Sequence, residues 1–233
     1  MSIRCSHIDV VFDGNSYLKD VSFTVAPQEV VLLYGPSGSG KTTLFNILCA
    51  MSEATSSRAG VFWGDYQVCS LEKANKVRFR YISMVYSLFY FLESLNVEQN
   101  IRLPAVFAGV AEDEIDRRLE ELYRVFAFDG KLSNLDLSTL RARSIAGLSN
   151  GQKELVGIAR AFVLDSPYVF ADEMLRSFNK EGEELLWEKI LSSPELGIGS
   201  RRGFFMITHK EHLRHDPRIS KVYTIDNSAL VRM

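Results

Sequence analysis

Residues 30–43 run from an apolar, β-branched string, Val30-Val31-Leu32-Leu33-Tyr34, directly into Gly35-Pro36-Ser37-Gly38-Ser39-Gly40-Lys41-Thr42-Thr43. The second part fits the phosphate-loop pattern G-x-x-x-x-G-K-[ST], and it sits between a strand pattern and a helix pattern, where that motif has physical meaning. Glycines let the backbone curl so that successive N–H groups converge on an anion. A helix beginning near Lys41 adds its positive end. Lys41 would neutralise the β- and γ-phosphates of a nucleotide, and the Thr42 hydroxyl would coordinate Mg²⁺. A loop of this kind needs a buried strand in a layered α/β sheet, which narrows the fold class at once.

The rest of the chain agrees with that class. Gly60-Val61-Phe62-Trp63 before Gly64-Asp65 reads as a strand entering a turn, and residues 81–86, 168–171 and 203–208 read as further strands. The Asp226-Asn227-Ser228 turn between two short apolar runs predicts a hairpin near the end. Residues 41–50 turn helical. From about residue 95 to 160 helical patterning dominates, with Ile115, Leu119, Leu122 and Phe126 on one face and acids at the start of that helix. The chain is therefore read as one domain, 1–233. Residues 1–87 and 161–233 form its α/β core, and a helical subdomain is set in at 88–160.

Asp172-Glu173 ends a buried strand pattern. Two acids there would by themselves be solvated surface. With a phosphate loop in the same chain, Asp172 would hold Mg²⁺ and Glu173 would orient and polarise the water that attacks the γ-phosphate. In layered α/β sheets, ligands gather at the carboxyl ends of parallel strands, where both motifs fall.

Leu148-Ser149-Asn150-Gly151-Gln152 is a weak string alone, and a polar cap before a helix explains it equally well. With the other motifs, in this order and spacing, the chain resembles the ATPase subunits of ATP-binding-cassette (ABC) transporters, whose signature reads L-S-G-G-Q. The segment Ile158-Ala159-Arg160-Ala161 is similar to the helix after that signature, and Asn100-Ile101-Arg102-Leu103-Pro104 is similar to the LolD, MacB and FtsE branch. The resemblance implies a P-loop NTPase core of ABC type with an inserted α-helical subdomain and an N-terminal antiparallel β subdomain. It implies ATP and Mg²⁺ as cofactors, and a clamp in which Ser149, Asn150, Gly151 and Gln152 of one subunit cap ATP held by another. His209 would be the switch histidine at the γ-phosphate, and Phe12 would stack on adenine. The residues after Ser87, Leu88 to Leu92, would line a groove for a short helix of a membrane permease subunit. The protein would then sit peripherally on the cytoplasmic face of the membrane.

Several positions depart from the family pattern. Ser87 stands where the family has a glutamine that touches Mg²⁺, and serine reaches only through a bridging water. Asn150 replaces a signature glycine, Leu155 an arginine, and Asn179 the aspartate that communicates between the two sites. The family's P-T-S-A-L-D string reads Met174-Leu175-Arg176-Ser177-Phe178-Asn179 here. These changes leave the phosphate loop and Asp172-Glu173 intact, so slow turnover, pairing with a more regular ATPase subunit, or a low-turnover regulatory role all stay open.

Composition removes other classes. The formal net charge of −2 gives no global attraction to nucleic acid, and coiled-coil or zinc modules of DNA-repair ATPases are missing from the sequence. Three scattered cysteines, Cys5, Cys49 and Cys69, form no disulfide framework. The start, Met1-Ser2-Ile3-Arg4-Cys5-Ser6-His7, lacks the apolar stretch of a secretory signal, and no apolar run is long enough to span a bilayer.

Overall fold

The computed structural model describes residues 1–87, 90–194, 196–197 and 201–233. The chain opens with two long strands, β1 (Ile3–Phe12) and β2 (Asn15–Val25), followed by β3 (Val30–Tyr34) and helix α1 (Lys41–Leu48). Next come β4 (Gly60–Trp63), β5 (Tyr66–Gln67), α2 (Leu71–Val77) and β6 (Ile82–Val85). Four helices follow: α3 (Val97–Phe107), α4 (Glu112–Val125), α5 (Leu137–Leu140) and α6 (Asn150–Phe162). The chain then returns to alternation with β7 (Tyr168–Asp172), α7 (Lys180–Ser192), β8 (Gly203–Thr208), β9 (Lys221–Asp226) and β10 (Ala229–Arg232).

The strands form two sheets. One is antiparallel, in the order β2-β1-β4-β5; the other runs β10-β9-β3-β8-β7-β6, parallel except for the β10 edge. The β1–β2 turn, Asp13-Gly14, has positive φ at both residues (48° and 78°), the requirement of a two-residue hairpin whose twist matches its strands. The predicted terminal hairpin is β9–β10, and its turn residues Asn227 and Ser228 also have positive φ.

Burial explains the parallel sheet. β7 and β8 are buried at every residue and β3 at all but its last, as strands covered on both faces must be. Successive side chains alternate between two cores. Val30, Leu32, Val169, Ala171, Phe204 and Met206 face a core shared with α3, α4, α6 and α7. Val31, Leu33, Tyr168, Phe170, Phe205 and Ile207 face α1 and the antiparallel sheet. In α4 the predicted stripe of Ile115, Leu119 and Leu122, continued by Phe126, is buried, each side chain contributing about 1.5–3 kcal/mol.

Two elements are shorter than the sequence reading. The helix after the glycine loop stops at Leu48, because the chain turns at Ala50 with φ 51°. The strand expected over 81–86 is only Ile82–Val85. In the first turn of α3, fully buried Asn100 staples the segment that leads into the helix. Its amide donates to the carbonyls of Leu92, Leu95 and Asn96 and accepts from Leu92 N–H. Among the described residues no helix is long and apolar enough to cross a membrane.

Candidate functional site

The glycine loop leaves the C-terminal end of β3 and enters α1 at Lys41. Gly40 is the hinge of that entry, with φ 93°, and a Cβ there would lie 3.3 Å from the Tyr17 carbonyl and from Leu18. Lys41 is only 6% exposed, and its Nζ donates to the carbonyls of Gly35 (2.8 Å) and Pro36 (2.6 Å). It also lies 3.5 Å from Ser39 Oγ. The lysine thus braces the curl of the loop while aiming its charge into it. Burial pulls its pKa down, and the charges of Glu173 and Asp172 pull it back up.

The acidic pair arrives from β7, separated from β3 in the sheet by β8. Asp172 is 6% exposed and its Oδ1 has no hydrogen-bond partner among the described residues. Burial, with the neighbouring Glu173 charge, raises its pKa; Lys41, the Thr42 hydroxyl and Arg176 oppose that. Glu173 is held with φ 54° and its N–H donates to Ile207 O (3.0 Å), which fixes where its carboxylate emerges. Its Oε2 is 2.7 Å from His209 Nδ1, a close contact without hydrogen-bond alignment.

The glycine loop, Lys41, Asp172 and Glu173 share one cavity of about 420 Å³, whose wall does not include His209. Its walls include Ser37, Gly38, Gly40, Lys41, Thr42 and Thr43 together with Asp172, Glu173 and Ser87. A buried, unpartnered carboxylate oxygen close to a threonine hydroxyl is the donor set that a small divalent cation such as Mg²⁺ takes. The residues therefore fit the predicted metal together with a polyphosphate.

The signature residues lie elsewhere. Ser149 Oγ accepts Gln152 N–H and Gln152 Oε1 accepts Ser149 N–H, a capping box that starts α6. Gln152 Nε2 also donates to Asn134 O. Gly151 leaves room for the Phe178 ring, which a Cβ would approach to 3.4 Å. Asn150, with Lys153, Arg176 and Ser177, lines a second cavity of about 500 Å³, so within one chain the signature does not enter the phosphate cavity. Phe12 is 64% exposed at the end of β1 and is not part of the phosphate cavity wall.

Several departures from the family pattern have local explanations. Asn179 caps α7, accepting Gly182 N–H at 3.0 Å. Leu155 is fully buried on the inner face of α6, where an unpaired guanidinium would be costly. His212 pairs with buried Glu183, which also takes Lys210 at 2.6 Å. Of the expected groove residues, Leu88 and Phe89 lie outside the described residues. Tyr90 and Leu92 face solvent, whereas Phe91 packs against the core beneath the Arg160 guanidinium. Arg160 also lines an apolar groove of about 310 Å³ between α2, β6, α3 and α6, which residues 90–92 do not line.

Sequence reasoning missed Tyr17 and Arg176, both in the cavity wall. Strand parity was the available signal for Tyr17, since Leu18 next to it is fully buried and the alternate side chain must face out. For Arg176 the signal was a charge inside the string that follows the acidic pair.

Comparison with known proteins agrees with this geometry. The sequence profile described as "ABC transporter" matches residues 18–176. An uncharacterised ABC transporter ATP-binding protein of Thermotoga maritima is 33% identical over 170 residues, covering 72% of this chain and 69% of that one. The lipoprotein-releasing system ATP-binding protein LolD of Idiomarina loihiensis is 27% identical, covering 98% and 96%. The macrolide export ATP-binding/permease protein MacB of Marinobacter nauticus is 29% identical over 88% of this chain, which spans only 29% of that longer protein. Among solved structures, a dimeric ATP-binding cassette in a post-hydrolysis state with ADP and Pi superposes with a TM-score of 0.82 at 20% identity, covering 99% of this chain and 97% of that one.

Proposed function

The chain belongs to the ABC transporter family, and from that premise we propose that it is an ATP-hydrolysing subunit of the LolD/MacB type, dimerising around ATP to drive a membrane permease partner. The observation that carries this reading is the single cavity in which the glycine loop, Lys41, Thr42, Asp172 and Glu173 meet. Residues 1–87 and 161–233 serve as its α/β core and 88–160 as its helical subdomain.

Each residue then has a role. Backbone N–H groups of residues 35–43 and the start of α1 cradle the phosphates, and Lys41 neutralises their charge. Thr42 and Asp172 would hold Mg²⁺, with Ser87 acting through water, and the metal would supply neutralisation of phosphate charge. Glu173 positions the attacking water and accepts its proton, and His209, 2.7 Å from Glu173, contacts the γ-phosphate end. Phe12 offers an aromatic face for adenine. Ser149, Asn150, Gly151 and Gln152 cap the nucleotide of a second subunit, a role that fits their distance from this chain's own cavity. That subunit is a second copy or another ATPase chain, and the protein works peripherally at the cytoplasmic face of the membrane. Nucleic acid is not its partner. Asn179, committed to the cap of α7, lacks the charge of the aspartate it replaces; this favours slow turnover and keeps a regulatory, recruiting role as the second reading.

The purified chain with Mg²⁺ is expected to release phosphate from ATP; release no greater than that of the Glu173→Gln variant overturns the enzymatic reading. The apolar groove lined by Arg160, which donates to the carbonyl of Tyr90 (81% exposed), is the permease-facing surface together with Tyr90. Tyr90→Glu is expected to abolish stimulation of turnover by the permease, with basal hydrolysis within about twofold, since an exposed substitution changes stability by about 0.5 kcal/mol or less. Wild-type stimulation in that variant removes the groove from the partner interface.

A further inference from the structure

Arg176 is a second cation in the wall of the phosphate cavity, and among the described residues no hydrogen bond or ion pair holds its guanidinium. Among the described residues, Lys41 and Arg176 are the two basic residues in the wall of the cavity, against the two carboxylates Asp172 and Glu173. The Arg176 side chain is exposed and makes no hydrogen bond or ion pair among the described residues, whereas Lys41 is bound to loop carbonyls. Its backbone, by contrast, is held tightly. The carboxylate of Glu154, 1% exposed, accepts Arg176 N–H at 3.0 Å and Ser177 N–H at 2.8 Å. A free guanidinium is thus mounted on a loop anchored by a buried acid. It follows the end of β7 by four residues and joins Asp172 and Glu173 in the cavity wall.

The charge balance says what such a group can meet. With the two carboxylates offset by Lys41 and Arg176, any polyphosphate entering the cavity brings uncompensated negative charge. Lys41 and the loop N–H groups serve the phosphates nearest α1, and Arg176 shares the wall with Glu173, the residue assigned to the γ-phosphate end. A guanidinium presents a planar fork that matches two phosphate oxygens at once. On its other side the same residue lines the cavity with Asn150, Lys153 and Ser177, on the face that carries the signature.

We infer that Arg176 contacts the terminal phosphate of a nucleoside triphosphate, so that it selects triphosphate over diphosphate. This rests on the nucleotide reading of the cavity given above. The phosphate comes from the nucleotide of the same chain or from that of a second copy docked on the signature face; the contact chemistry is the same.

The test is calorimetric titration of the full chain, with Mg²⁺, by ADP and by the non-hydrolysable analogue AMP-PNP. The wild type is expected to prefer the triphosphate analogue. Arg176→Ala should weaken AMP-PNP binding about tenfold and leave ADP within about twofold, the size expected of one exposed charge-assisted contact. Arg176→Lys, which keeps the charge without the fork, should fall between. The melting temperature without nucleotide should not change, because Glu154 holds the loop by its backbone. Repeating the titrations below and above the concentration at which the chain dimerises separates the two sources. A loss that persists in the monomer assigns the contact to the chain's own nucleotide, and a loss confined to the dimer assigns it to the partner copy's. Equal losses for ADP and AMP-PNP, or none for either, overturn the inference while leaving the nucleotide site standing. A wild-type chain that binds neither nucleotide overturns the nucleotide reading itself, and the inference with it.

Discussion

Glu173→Gln is expected to cut ATP hydrolysis by about 100-fold or more while nucleotide binding survives. The glutamine keeps the size and reach of the side chain, and the backbone that aims it stays pinned by the N–H bond to Ile207 O. Only the carboxylate charge is lost, and with it the base that takes a proton from the attacking water. The glycine loop, Thr42 and Asp172 remain in place, so bound ATP is no longer turned over and should hold two signature-bearing faces together. The variant should therefore accumulate as a dimer in ATP and not in ADP, read by light scattering coupled to size exclusion. If a mixed pair with another ATPase chain is the working unit, the trapped dimer should need that partner. Wild-type turnover in the variant removes Glu173 from the chemistry. Loss of turnover with no dimer, alone or with the partner chain, sinks the clamp.

Lys41→Ala is expected to weaken ATP binding by an amount worth about 2–5 kcal/mol, the range found when one member of a buried, hydrogen-bonded charge pair is truncated. Two effects add. The phosphates lose the one cation buried beneath them, and the loop loses the ammonium that joins the carbonyls of Gly35 and Pro36. Lys41→Met separates them in part, since it keeps the buried stem but not the charge or the hydrogen bonds. Calorimetry with Mg²⁺ reads the affinity, and a thermal melt without nucleotide reads the bracing of the loop. An unchanged ATP affinity in both variants would falsify the assignment of residues 35–43 as the phosphate cradle.

What was legible in the sequence was chemistry written in contiguous residues or in a single period. The glycine loop is one string, and its strand-to-helix context decides it. Glu112–Val125 was legible because its apolar positions repeat at helical spacing behind an acidic first turn. The signature string was legible as a helix start, since Ser149 and Gln152 form the capping box within four residues. Asp172-Glu173 was placed at a strand end by the apolar run before it. In each case neighbours along the chain supply the determining contacts, so no long-range pairing is needed to read them.

Tertiary structure alone decided the rest. Phe91 is as apolar as Tyr90 and Leu92, yet it turns inward because Arg160, 69 residues along the chain, lies over its ring and donates to the carbonyl of Tyr90. Tyr17 joins the phosphate cavity through the pairing of β1 with β2 and the approach of that hairpin to Gly40. Arg176 is aimed by Glu154, which comes from the signature helix 22 residues earlier. Such placements depend on which strand lies beside which, and on the register and packing that follow. They are set by burial summed over the whole core, and no short window of sequence holds that sum.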